Sequence, residues 1–240
     1  MRKKTVRRAE PDSDSTAQLQ PWQIEHAQNL PGIPVLPETL LRLELEAQER
    51  SVDLRSMARV VLSDVGATVQ VLRQSGLESG SLDACPTRIE DCISNLGISA
   101  CMDAVAAEAL GRNYRYGVVT EIWAHSREIA HYARLVAEDT DRVNPDDAYL
   151  VGLLHTIGLL PNALAWTESR RPVNAGLAAL QMARQWSFPN AVVDYFREVG
   201  RDESAAPWPE IVHKAHRLAS RSSLHCPLEP EMRPQLYRAV

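Results

Sequence analysis

The chain has 240 residues and a mass of 26.7 kDa, enough for one large domain or two small ones around a proper core. Hydrophobic residues make up 45% and charged residues 24%, which argues against wholesale disorder, and aromatics are only 5%, so the core must rest on Leu, Val, Ile and Ala. The formal charge is −5, and the first eight residues alone carry +5, leaving −10 on the remainder. A body that acidic is a poor match for a protein whose main work is gripping nucleic-acid phosphates.

In chain order, residues 1–23 read as a disordered tail, with a basic start running into Glu10-Pro11-Asp12-Ser13-Asp14-Ser15 and no apolar leader segment. Three prolines between Leu30 and Pro37 forbid helix until Pro37 can sit at a first helical position. Leu40, Leu41, Leu43 and Leu45 then mark a helix to about Glu49. Ser51 is the expected cap of the next helix, with Leu54, Met57, Ala58, Val61 and Leu62 recurring at three and four. Asp64 opens a third helix expected to end near Ser75-Gly76, before a loop from Leu77 to Pro86. Short helices follow over Arg88–Leu96 and Ser99–Leu110, with Gly97 between them and a joint over Gly111–Gly117.

Thr120 is the expected cap of a long helix to about Asp139, with Ile122, His125, Ile129, Tyr132 and Val136 along one face. Asn144-Pro145-Asp146-Asp147 combines a capping side chain, a proline at the first position and carboxylates at the positive end of the dipole, so it starts a helix expected to run towards Gly158. Further helices are predicted over Ala175–Gln185, Pro189–Val199 and Pro209–Arg221, and residues 222–240 form a proline-containing tail. No Asn-Gly or Asp-Gly hairpin joins two alternating runs, so the fold class is all-α. The longest apolar stretch, Tyr149 to Leu160, is too short to span a bilayer and contains His155. Cys85, Cys92, Cys101 and Cys226 form no CxxC pair and read as free thiols in a reducing cytoplasm.

Leu153-Leu154-His155-Thr156-Ile157-Gly158 is similar to the "LLHDIG" segment of the HD phosphohydrolase superfamily, with Thr156 in place of the aspartate. Other segments fall in the order of one branch, the HDOD (HD-related output) domain. These are the Leu30-Pro31 and Ile33-Pro34 opening, Ser63-Asp64-Val65, Val71-Leu72-Arg73-Gln74-Ser75 and Ile93-Ser94-Asn95-Leu96-Gly97, then Trp123-Ala124-His125-Ser126 with Ala130, and Trp186-Ser187-Phe188-Pro189. The chain resembles that family over residues 24–221. The resemblance implies a two-lobed multi-helix bundle, with an N-terminal lobe over 24–112 and an HD-like lobe over 113–221.

An active HD site holds one or two divalent metals with a His, a His-Asp pair and a later Asp. The matching positions here are His125, His155-Thr156 and His216, the last in Ala215-His216-Arg217-Leu218 where related sequences read Ala-Asp. Both carboxylates are thus replaced, and a neutral hydroxyl is a poor ligand for a hard metal. The expectation is a vestigial site with no catalytic residue, no metal and no cofactor. A single ion held by three imidazoles is the alternative. His26, His131, His213 and His225 are read as background, and neither a nucleophile elbow nor a P-loop is present.

The resemblance implies a non-catalytic regulatory or scaffold module of bacterial signal transduction, acting through a signalling protein partner in a cyclic-dinucleotide, stress or motility pathway. A ligand in the vestigial cleft could modulate it. The chain as read carries no receiver or cyclic-dinucleotide enzyme segment, so input is expected from a partner or small ligand. The alternative reading is a residual metal-dependent phosphohydrolase or nucleotide-binding sensor. A cytoplasmic location, no membrane partner and no nucleic-acid partner complete the expectation.

Overall fold

Helix starts follow local chemistry in this chain. Pro37 opens α1 (Pro37–Ala47) at a position where its missing N–H removes nothing the helix needs. Asp53, rather than Ser51, caps α2 (Leu54–Val61): its carboxylate accepts from the Arg55 N–H at 3.0 Å. The computed structural model describes residues 32–79, 86–108, 116–164, 174–201 and 206–221. The expected tails, 1–23 and 222–240, and the lobe boundary at 112/113 lie outside the described residues.

The third helix, α3 (Val65–Ser79), continues past the expected stop at Gly76. Gly76 is a packing residue rather than a cap, since a Cβ there would lie 2.8 Å from that of Ser187. Then come α4 (Ile89–Leu96) and α5 (Ile98–Ala106), separated by Gly97 at φ 80°, a left-handed conformation that glycine adopts without a steric penalty. The long α6 (Tyr116–Thr140) begins a turn earlier than expected: Thr120 is inside the helix, its hydroxyl donating back to the Gly117 carbonyl, so it is not the cap.

Asn144 caps α7 (Pro145–Leu154) as predicted, accepting from the Asp146 N–H at 2.8 Å. This helix stops at Leu154 instead of Gly158. His155 Nδ1 lies 2.6 Å from the Gly152 carbonyl, the group a continuing helix would pair with the Thr156 N–H. A 3₁₀ turn (Ile157–Leu159) and the short α8 (Leu160–Ala163) follow, then α9 (Ala175–Gln185), α10 (Asn190–Gly200) and α11 (Pro207–Ala219).

The fold is all-α. No strand occurs among the described residues, where Val35 N–H donating to the Glu108 carbonyl at 2.8 Å is an isolated bridge. Helices α1–α5 pack mainly on one another, and α6–α11 do the same, with α7 in the middle of the second group. Residues Leu150 to Leu154 of α7 are all buried, as expected for a helix apolar on every side. Gly152 permits the closest approach, because a Cβ there would lie 2.7 Å from the Ala130 Cα of α6.

Specific side chains connect the two groups. The Arg73 guanidinium of α3 stacks over the Trp186 ring 4.9 Å from its centroid, and the Tyr149 hydroxyl donates to the Leu62 carbonyl. Trp123, fully buried on α6, donates its indole N–H to Asp64 at 2.8 Å. Asp64, at the start of α3, also accepts from the Leu36 N–H, the Thr39 hydroxyl and the Ala67 N–H at 2.8, 2.9 and 3.1 Å. Burial pushes this carboxyl above the usual range while the four donors pull it the other way.

Candidate functional site: a buried histidine cluster

Helix α6 packs against both α7 and α11, and the three histidines meet where these helices adjoin. His125 belongs to the buried stripe of α6 with Ile122 and Ile129, His155 follows the last turn of α7, and His216 lies in the last turn of α11. Ring centroids are 5.4 Å apart for His125–His155, 5.2 Å for His125–His216 and 5.0 Å for His155–His216. One nitrogen from each ring can be chosen so that all lie within 4.8 Å of one another. His125 and His155 are buried and His216 is half-buried, which makes the His216 side the one nearer solvent.

The carbonyl of Gly152 can only accept, so His155 Nδ1 carries the proton and Nε2 keeps its lone pair. That Nε2 is buried and makes no hydrogen bond. Burial holds the His155 imidazole well below the usual histidine range, the His216 and His125 rings add to the effect, and the Gly152 bond opposes it. The ring is therefore neutral at pH 7. Thr156, also buried, shares a 2.7 Å hydrogen bond with the hydroxyl of Ser126, one residue after His125. Among the described residues, no Asp, Glu or Cys joins the cluster.

The donor set thus has no carboxylate to bridge two hard ions, and the Thr156 hydroxyl is already engaged by Ser126. It does not fit the HD superfamily's carboxylate-bearing metal centre, and no catalytic step through such a centre is derived.

The three candidate histidines come together, with Thr156 bonded to Ser126 beside them; His131 and His213 are exposed and stay out of the cluster, and His26 and His225 lie outside the described residues. The sequence placed two further residues in motifs without giving either a role at the site. Ser126 holds Thr156, and the Asp64–Trp123 bond anchors α6 two residues before His125. Their place in the Trp123–Ser126 and Ser63–Val65 segments was the cue, and Asp64 reads there as a helix-opening residue. Of the cysteines, Cys92 is buried and its thiol donates to the Pro86 carbonyl at 3.4 Å, and Cys101 is buried, which pushes its thiol up to about 11, away from nucleophile chemistry; Cys85 and Cys226 lie outside the described residues.

A second concavity, about 460 Å³, opens between the two helix groups. Its lining includes Arg55, Arg59, Arg88 and Arg134, the acidic Glu90 and Asp146, and the apolar Leu62 and Leu150. Asp146 pairs with both Arg88, at 3.7 Å, and Arg134, at 3.1 Å. No helix among the described residues is long and apolar enough to cross a membrane.

The all-helical body brings a histidine cluster together where three of its helices adjoin. Two solved structures share the fold. The MmoQ response regulator of Methylococcus capsulatus str. Bath is 18% identical with a TM-score of 0.64, over 88% of this chain and 94% of that one. A virulence factor from Campylobacter jejuni subsp. jejuni is 16% identical with a TM-score of 0.57, over 82% of this chain and 78% of that one. The chain belongs to the HDOD domain family, whose model matches residues 33–174, a span that includes His125, His155 and Thr156 but not His216. No curated protein matches the sequence.

Proposed function

We propose that this chain is a non-catalytic regulatory module of bacterial signal transduction that works by presenting a surface to a partner protein. The observation that carries the reading is the histidine cluster itself: three imidazoles with no carboxylate among the described residues, at positions that the resemblance matches to the metal ligands of HD enzymes. Phosphoester hydrolysis in that superfamily needs ions that polarise phosphate and activate water. A threonine tied to a serine supplies neither a hard ligand nor a general base.

The fold shared with the MmoQ response regulator of Methylococcus capsulatus supports a signalling context. Leu41 and Leu45, one turn apart on α1, are 58% and 56% exposed and supply an apolar contact surface. The cytoplasm is the matching compartment. The test has two arms. Purified protein supplied in turn with Mn²⁺, Ni²⁺ and Zn²⁺ is expected to hydrolyse neither a phosphodiester nor nucleotides above the level of His155→Ala. A defined partner captured from native cell extract is expected to be lost with Leu41→Glu/Leu45→Glu. Metal-dependent turnover that disappears in His155→Ala would overturn the proposal.

A second reading, a nucleotide-binding sensor, is favoured by the groove that Arg55 and Arg59 line together with Leu62 and Leu150, a mix of cationic and apolar side chains that suits a phosphorylated base. Nucleotide-induced thermal stabilisation that vanishes in Arg55→Ala/Arg59→Ala would select it. Its absence across mono-, di- and cyclic nucleotides would remove it.

A further inference from the structure

The mismatch between the histidine cluster and a carboxylate-bearing centre has a chemistry of its own. We propose that His125, His155 and His216 together bind one divalent transition ion, zinc by preference, through one nitrogen each. This departs from the sequence expectation of a metal-free relic.

Three observations carry it. The ligand nitrogens lie within 4.8 Å of one another. Tetrahedral zinc with bonds of about 2.0–2.1 Å separates its ligand nitrogens by roughly 3.4 Å, so side-chain movements of about an ångström close the site. Next, His155 Nε2 is a buried nitrogen with no hydrogen bond, a rare condition that an ion would relieve. Finally, the Gly152 carbonyl fixes the His155 ring through Nδ1, so its lone pair is on Nε2. Histidine ligands are oriented in this manner in established metal sites, the non-ligating N–H being held by a carbonyl or carboxylate.

The donor set also fixes which ion. Imidazole nitrogens suit zinc, nickel, cobalt and copper, whereas magnesium, calcium and manganese favour oxygen ligands. With no bridging carboxylate, one ion binds rather than two. Its fourth position would face the half-buried His216 side, open to water or a partner's donor. Bound there, the ion would tie α6, α7 and α11 together and make the packing of these helices respond to metal supply.

The test uses the full chain, stripped with chelator, reloaded separately with zinc, cobalt or magnesium, dialysed and assayed by elemental mass spectrometry. The native protein is expected to retain about one equivalent of zinc. The partly exposed site variant His216→Ala and the triple variant His125→Ala/His155→Ala/His216→Ala are expected to retain none above background. Far-UV circular dichroism of His216→Ala, expected to match the native spectrum, confirms that a loss there is not unfolding.

Cobalt-loaded native protein is expected to show visible ligand-field bands that His216→Ala lacks. Zinc at about a hundred times its Kd should raise Tm by roughly 5–10 °C, and magnesium should not. Three results would each overturn the proposal: no zinc retained by the native chain, equal retention by the triple variant, or equal stabilisation by magnesium. Metal retention is read without any turnover assay, so this proposal and catalytic silence fail independently.

Discussion

Asp64→Asn keeps the size and shape of the buried Asp64 side chain and changes only what its atoms can accept. In the native chain Oδ2 accepts from the Leu36 N–H and the Thr39 hydroxyl, and Oδ1 from the Ala67 N–H and the Trp123 indole. Asparagine keeps one oxygen and turns the other into an NH₂ group, so two buried donors lose their acceptor and confront a third. A stranded buried donor costs about 1–3 kcal/mol, while loss of the charge relieves the desolvation that pushes the carboxyl up. The net expectation is a destabilisation of about 2–4 kcal/mol for Asp64→Asn, and about 3–5 kcal/mol for Asp64→Ala, which strands all four donors.

Either is a large share of the roughly 5–15 kcal/mol that holds a domain together. Urea unfolding followed by tryptophan fluorescence and far-UV circular dichroism measures it. A double-mutant cycle with Trp123→Phe should give a coupling above about 0.5 kcal/mol, since the indole bond is shared. Asp64→Asn within about 0.5 kcal/mol of native would refute the reasoning, because it would mean that relief of desolvation offsets the bonds lost at the replaced oxygen.

Other outcomes follow from the site. Gly152→Ala gains up to about 1 kcal/mol of helix propensity but drives a Cβ to 2.7 Å from the Ala130 Cα, so thermal melts should show a net loss of about 1–2 kcal/mol. In chelator-treated protein, the depressed His155 pKa means the unfolded chain takes up a proton, below its ordinary 6.5, that the folded chain refuses. Stability is therefore fully present above about pH 6.5 and falls by up to about 1.4 kcal/mol per pH unit below it, a slope that His155→Gln should reduce in urea titrations from pH 7.5 to 5. Thr156→Asp places a carboxylate beside His155, so the metal-free variant should melt lower than native and be rescued by Mn²⁺, which leaves the native Tm unchanged.

Helix identities and the histidine positions were legible in the sequence because they depend on local signals. Apolar spacing marked α6 and the Asn144 cap marked α7, while the segment around His155 carried enough motif to place it. What was not legible depends on contacts distant in the chain. Gly76 looked like a stop and serves as a packing site against Ser187, so α3 ran on to Ser79. The end of α7 was set by a side chain, His155, taking a helix carbonyl, which no propensity encodes. Asp64 reads as a helix-opening residue from sequence and proves to hold α6 through Trp123, 59 positions away.

The most direct test of the account is phosphoester hydrolysis by the purified full chain under zinc, manganese and nickel in turn, with its metal content measured on the same sample. The account predicts a helical, folded protein whose turnover of nucleotides and a phosphodiester equals that of His155→Ala with every ion. Metal-dependent turnover by the native chain, abolished in His155→Ala and His216→Ala, would contradict it.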